Sequence, residues 1–163
     1  MKPTQLILCL SLLSMTASAQ FVPLLLGEQR IYEPDEGITS GDRYGESLSS
    51  DGEWAVAGAP GDDTHQGEDA GAVYLLKRVE GTWRVMQKIL FPEDAAEDET
   101  EFGSDVALEG DLLAVATRHG SGRGVCIFRR DGDRWSLEQR LTDDAKSVAL
   151  SSGELLVGVP GAG

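Results

Sequence analysis

The sequence predicts an all-β fold built from repeated four-stranded antiparallel sheets. The first observation is that residues 44–90 recur further along the chain, and such internal repeats outrank local signals. The second is that each copy divides into short apolar runs separated by Gly, Pro and Asp turns. The third is that the runs differ in their alternation, which indicates that some strands are buried on both faces and others on one.

The first copy spans residues 42–92 and contains four predicted strands. We expect these strands at 46–50, 53–59, 72–78 and 82–90. The second is apolar at every position around Trp54 and Val56, so we expect neighbours to cover both of its faces. The fourth alternates. Its pattern places Trp83, Val85 and Ile89 on one side of the strand and Arg84 and Lys88 on the other.

The later copies repeat this order of strands, but the last copy is incomplete. The second copy spans residues 93–142, and in it Trp135 takes the place of Trp83. The third, residues 143–163, carries only the first two strands. Inner strands buried twice and outer strands buried once are typical of the blades of a β-propeller. The sequence therefore predicts a partial β-propeller with about two complete blades and part of a third.

Short motifs at matching positions resemble those of a known repeat family. They are the following: Tyr44-Gly45, Gly58-Ala59-Pro60, Phe102-Gly103 and Gly158-Val159-Pro160. Together they resemble the FG-GAP repeats of integrin α-chain propellers and of many secreted bacterial proteins, over residues 41–163. The resemblance implies a propeller that acts in recognition or adhesion. Repeat two departs from it with Ala116-Thr117-Arg118 in place of Gly-Ala-Pro, and repeat three has Ala145-Lys146 near the place of Phe-Gly.

The N-terminus predicts export. Residues 1–19 carry Lys2, an apolar run at 6–15 and a small-residue cleavage signal that ends at Ala19. The apolar run is shorter than the roughly 20 residues that span a bilayer, so we expect no transmembrane segment in the mature chain. The protein is then secreted or extracytoplasmic after cleavage near Ala19. Residues 20–41 form a lead-in segment that we expect to supply a strand of another blade.

The amino-acid composition argues against two classes of binding partner. The chain has 28 acidic and 14 basic residues, which gives a net charge of −14. Such a surface repels nucleic acid and anionic lipid, so we expect neither as a partner. Cleavage would leave Cys126 as the only cysteine, on a predicted strand. We expect a buried thiol there and no disulfide.

A Gly-flanked acidic loop follows the second strand. It carries Asp62, Asp63, Glu68 and Asp69, whose oxygens are ligands of the kind that Ca²⁺ prefers. The integrin resemblance also implies calcium in the blades. The spacing lacks the alternating Asp-x-Asp-x-Asp-Gly pattern, however, and repeat two has no carboxylate at the matching place, residues 118–123. The alternatives are a weak calcium site and a plain acidic loop.

The sequence contains no nucleophile elbow, phosphate loop or dinucleotide fingerprint. We therefore expect no catalytic residues, no enzyme activity and a binding scaffold for a protein or carbohydrate ligand. The alternatives are a fragment of a larger propeller protein, and a propeller hydrolase or lyase whose catalytic part lies outside this chain. A closed propeller needs about four to eight blades, so we expect further blades or a second copy to complete it.

Overall fold

A computed structural model of the chain describes residues 29–31, 41–92, 99–120, 123–141 and 145–161. The predicted signal peptide, residues 1–19, and nearly all of the 20–41 lead-in lie outside the described residues. Every helix or strand that the structure describes is a β-strand, and all of them belong to the unit that spans residues 31–163. The predicted all-β fold class is confirmed.

The strands form two complete antiparallel sheets and one smaller sheet, and each sheet follows the order of the chain. Blade 1 consists of β1 (Ser47–Ser50), β2 (Trp54–Ala59), β3 (Ala72–Val79) and β4 (Thr82–Leu90). Blade 2 consists of β5 (Phe102–Glu109), β6 (Leu112–Thr117), β7 (Gly124–Asp131) and β8 (Arg134–Leu141). Blade 3 consists of β9 (Ser147–Ser151) and β10 (Glu154–Gly158). Two complete blades and part of a third are therefore present, as predicted.

The main core lies between blades 1 and 2. Every residue of β2 is buried, as its unbroken apolar run predicted. One face of β2 and β3 packs against β5, β6 and β7 of the next blade. The large side chains at this interface include Trp54, Leu75, Phe102, Phe128 and Trp135. A smaller apolar cluster joins blade 2 to β9 and β10 in the same way.

Polar side chains on the first strands join each blade to the next. The hydroxyl of Ser49 accepts a hydrogen bond from the amide of Leu108 at 3.0 Å. The carboxylate of Asp105 accepts one from the amide of Val148 at 2.8 Å. These bonds satisfy backbone amides at the blade boundaries, where the sheets themselves do not pair.

A β-bulge changes the outer strand from the predicted pattern. Leu76 pairs with Val85 and Leu75 pairs with Gln87, so Met86 has no partner in β3. The extra residue reverses the alternation beyond it. Trp83 and Val85 lie on one face of blade 1, and Ile89 lies on the other face, in the main core. The prediction that all three share a side is therefore wrong for Ile89.

Candidate functional site

Loops from both complete blades meet at one end of the sheets. The segment before β5 lies along the loop that follows β2, because the amides of Glu99 and Glu101 donate to the carbonyls of Glu68 and Asp69 at 2.8 and 3.0 Å. The loop after β6 joins them, since the amide of His119 donates to the carbonyl of Thr100 at 3.2 Å. We call this surface, residues 61–71, 99–101 and 118–120, the loop end.

The first predicted metal ligand, Asp62, is buried and already neutralised. Its Oδ2 accepts a hydrogen bond of 2.6 Å from the hydroxyl of Tyr74 and lies 2.9 Å from Nζ of Lys88. The same ammonium group lies 3.2 Å from Oδ1. Both oxygens of Asp62 are therefore engaged by the chain itself, in a contact that joins β3 and β4 to the loop. A cation at this carboxylate would have to displace Lys88.

The other three predicted ligands lie nearer the surface. The carboxylate of Asp63 is exposed, and its Oδ1 accepts a hydrogen bond of 3.0 Å from the amide of Asp69. Glu68 is exposed and Asp69 is half-buried. Among the described residues, no three His, Cys, Asp or Glu side chains are grouped so that they could hold a metal ion. The four carboxylates therefore form no three-ligand group in the described structure, and calcium binding at this loop stays a prediction.

The best-connected charge of the loop end is Glu101, which no sequence motif marks. Its Oε1 lies 2.7 Å from Arg43, and its Oε2 lies 3.1 Å from Arg118 and 3.4 Å from His119. Glu46 adds longer contacts of 3.5 Å to Arg43 and 3.7 Å to Arg118. The network ties blade 1 to the β6–β7 loop of blade 2.

Burial and neighbouring charge have opposite effects on the pKa of Arg43. Burial acts to lower the pKa of this guanidinium, but the hydrogen bond and the negative charge of Glu101 raise it above its ordinary value. The two terminal nitrogens of this guanidinium contact two different carboxylates, those of Glu101 and Glu46, an arrangement that suits Arg better than Lys. Arg118 stands at the place of the motif proline in repeat two. That departure was the one sequence signal for the network.

The thiol of Cys126 is not part of the loop end. It is buried in the main core, as predicted, and burial raises its pKa to about 12. A protonated, enclosed thiol is a poor nucleophile. Trp54 and Trp135 are also core residues, with ring centroids 5.9 Å apart in an edge-to-face arrangement. These two rings pack the interior, so neither is exposed as a stacking platform for a sugar.

Stacked antiparallel sheets of four strands, each covering the one before, define a propeller-type repeat protein. The family model of the FG-GAP repeat matches residues 29–76, which supports an FG-GAP repeat in this part of the chain. None of the curated proteins that were compared matches the chain. No helix within the described residues is long and apolar enough to cross a membrane.

Proposed function

We propose that the protein is a secreted, non-catalytic binding scaffold that presents its loop end to a protein or carbohydrate ligand. The observation that carries the proposal is the Glu101 network, because it joins loops of two blades into one surface. Binding residues commonly lie on loops that a rigid scaffold positions. Here the scaffold is the core between blades 1 and 2.

The exposed side chains of the loop end supply the contacts in this proposal. The exposed residues of the loop end include Asp63, His65, Glu68 and His119. Their mixture of carboxylates and imidazoles suits polar recognition. The negative net charge of the chain favours ligands with neutral or basic surfaces.

A binding experiment tests the proposal with charge-matched variants. The mature chain would be screened against panels of extracellular proteins and glycans, and positives would be measured by calorimetry. We expect Asp63→Ala/Glu68→Ala to weaken binding by about ten-fold, which is about 1.4 kcal/mol. The control is Glu53→Ala/Glu154→Ala, which removes the same charge from exposed residues of the β1–β2 and β9–β10 hairpins.

Two results would contradict the proposal. One is an equal loss of affinity in the loop-end variant and in the hairpin variant. The other is chemical turnover of a bound panel member, which would make the protein an enzyme.

Export is the second part of the proposal. It is supported by Lys2, the apolar run at 6–15 and the small residues that end at Ala19. Mass spectrometry of protein recovered from the medium or periplasm tests it. We expect the chain to begin at Gln20, and recovery with Met1 in place would contradict export by cleavage.

A further inference from the structure

A glutamine of blade 1 holds the backbone of blade 2. The side-chain amide of Gln87 donates from Nε2 to the carbonyl of Trp135 at 3.1 Å. Its Oε1 accepts from the amide of the same residue at 3.0 Å. A strand residue of the next blade is thus bound as it would be by a neighbouring strand. The Trp135 ring meanwhile packs against Trp54, and it is 2% exposed.

The same three positions recur one blade later, but there the side chains of the described residues leave them at most partly covered. Gln139 follows the bulge of β8 as Gln87 follows the bulge of β4. Ile127 and Leu112 repeat the positions of Leu75 and Trp54. Leu75 and Trp54 are fully buried, whereas Ile127 and Leu112 are half-buried and Gln139 is exposed. Among the described residues, the side-chain amide of Gln139 has no hydrogen-bond partner.

A groove lies on blade 2 at the place that matches the site on blade 1 covered by Trp135. Its volume is about 180 Å³, and its lining residues include Leu112, Ile127, Gln139, Leu150 and Leu155. Small-molecule sites are usually larger, at roughly 300–1,000 Å³. The groove is therefore of a size for one large side chain.

The adjacent sheet edge is open as well. β6 pairs with β5 on one side and with β7 on the other. β10, its counterpart, pairs only with β9 among the described residues. An open edge accepts a further strand by main-chain hydrogen bonding. The open edge and the groove thus repeat the two places that β7 and β8 occupy in blade 2.

We propose that this surface binds a β-hairpin of the same kind as β7–β8, which carries a tryptophan on its second strand. The first strand of the hairpin pairs with β10, as β7 pairs with β6. Its second strand places the tryptophan in the groove, and Gln139 holds the backbone of that tryptophan at both polar atoms. The partner is thus a third-and-fourth-strand hairpin of a further repeat. The surface is separate from the loop end, so the two proposals stand or fall independently.

A labelled peptide tests this proposal directly. The probe is the hairpin of residues 123–141 with Cys126→Ser, added to the full chain and followed by fluorescence anisotropy. We expect saturable binding and a shift of the Gln139 side-chain amide signals in NMR spectra. Gln139→Ala should weaken binding about ten-fold, since it removes two hydrogen bonds. The matched control is Ser136→Ala, an exposed residue of the same strand outside the groove.

The peptide carries its own control. A hairpin with Trp135→Ala should bind at least about ten-fold more weakly, because the groove then stays empty. Absence of saturable binding at about 1 mM peptide would overturn the proposal. So would binding that neither Gln139→Ala nor the tryptophan substitution changes. A Gln139-dependent dimer of the chain that excludes the peptide would show that a second copy is the occupant, and that the hairpin is not.

Discussion

Gly58 and Gly103 touch each other across the boundary between blades 1 and 2. A methyl group added to Gly58 would lie 2.1 Å from the carbonyl oxygen of Gly103, a distance that no side chain tolerates. Gly103 itself has a φ of +92°, a region that glycine alone adopts readily. The hydroxyl of Ser47 donates to the same carbonyl at 2.8 Å. The glycine of one Gly-Ala-Pro motif is therefore required by the Phe-Gly motif of the next repeat.

We expect Gly58→Ala to destabilise the chain by about 1–3 kcal/mol, because the new methyl group forces two backbones apart. Thermal and urea unfolding would measure the change. Gly161→Ala is the control, since Gly161 has open space around it and no positive φ. If both variants unfold alike, the two motifs do not constrain each other.

Trp135 and Trp83 stand at equivalent places, opposite Arg130 and Arg78. Their burial differs, since Trp135 is buried against Trp54 and Trp83 is half-buried. We expect Trp135→Ala to cost about 3–5 kcal/mol of unfolding free energy, and Trp83→Ala clearly less. Denaturant titration of both variants measures this. Equal losses would contradict the described difference in packing.

Glu109 makes the link between blades 2 and 3 sensitive to pH. Its carboxylate accepts hydrogen bonds from the amides of Gly153 and Ser152, at 2.9 and 2.8 Å, and these bonds lower its pKa below the ordinary value of 4.5. The link is therefore complete above about pH 4.5 and is lost as the pH falls through the lowered folded pKa. NMR titration of the two amides should show this transition. Glu109→Gln should remove it, and a transition that persists in this variant would contradict the assignment.

Calcium binding at the acidic loop stays a prediction, in which the ion would compete with Lys88 for the carboxylate of Asp62. Since Lys88 neutralises Asp62, we expect Lys88→Gln to lower the melting temperature and calcium to restore it more than it stabilises the native chain. Extracellular modules bind calcium at roughly 0.1–1 mM, which sets the range of the titration. Arg84→Gln on the same strand is the control. Equal calcium shifts in both variants would show that Lys88 does not compete with the ion.

Much of the architecture could be predicted because the repeats carry their own turn and burial patterns. The predicted fourth strand, 82–90, coincides with β4 (Thr82–Leu90), and the buried β2 follows from its apolar run. The bulge at Met86 could not be predicted, because it depends on the pairing of β4 with β3. The Glu101 network could not be predicted either, since its members approach each other only when the blades stack.

The departures from the repeat motifs become understandable in the structure. The Gly58–Gly103 contact links the end of β2 to the start of the next repeat. At the following boundary, Ala116 replaces the first glycine and Ala145-Lys146 stands near the place of the second motif. Both losses thus concern the same boundary. A sequence alone shows two unrelated exceptions there, because the pairing of the motifs is a property of the stacked blades.

Each blade covers the one before it, which leaves blade 3 with an open face and an open edge among the described residues. The side chain of Leu156 is 64% exposed, whereas Val56, at the same register position of blade 1, is fully buried. Native-state hydrogen exchange followed by NMR tests this claim residue by residue.

We expect slow exchange at all amides of β6, because it has a paired strand on each side. In β10 we expect slow exchange only at alternate amides, those that bond to β9. Uniform protection along β10, equal to that of β6, would contradict the account.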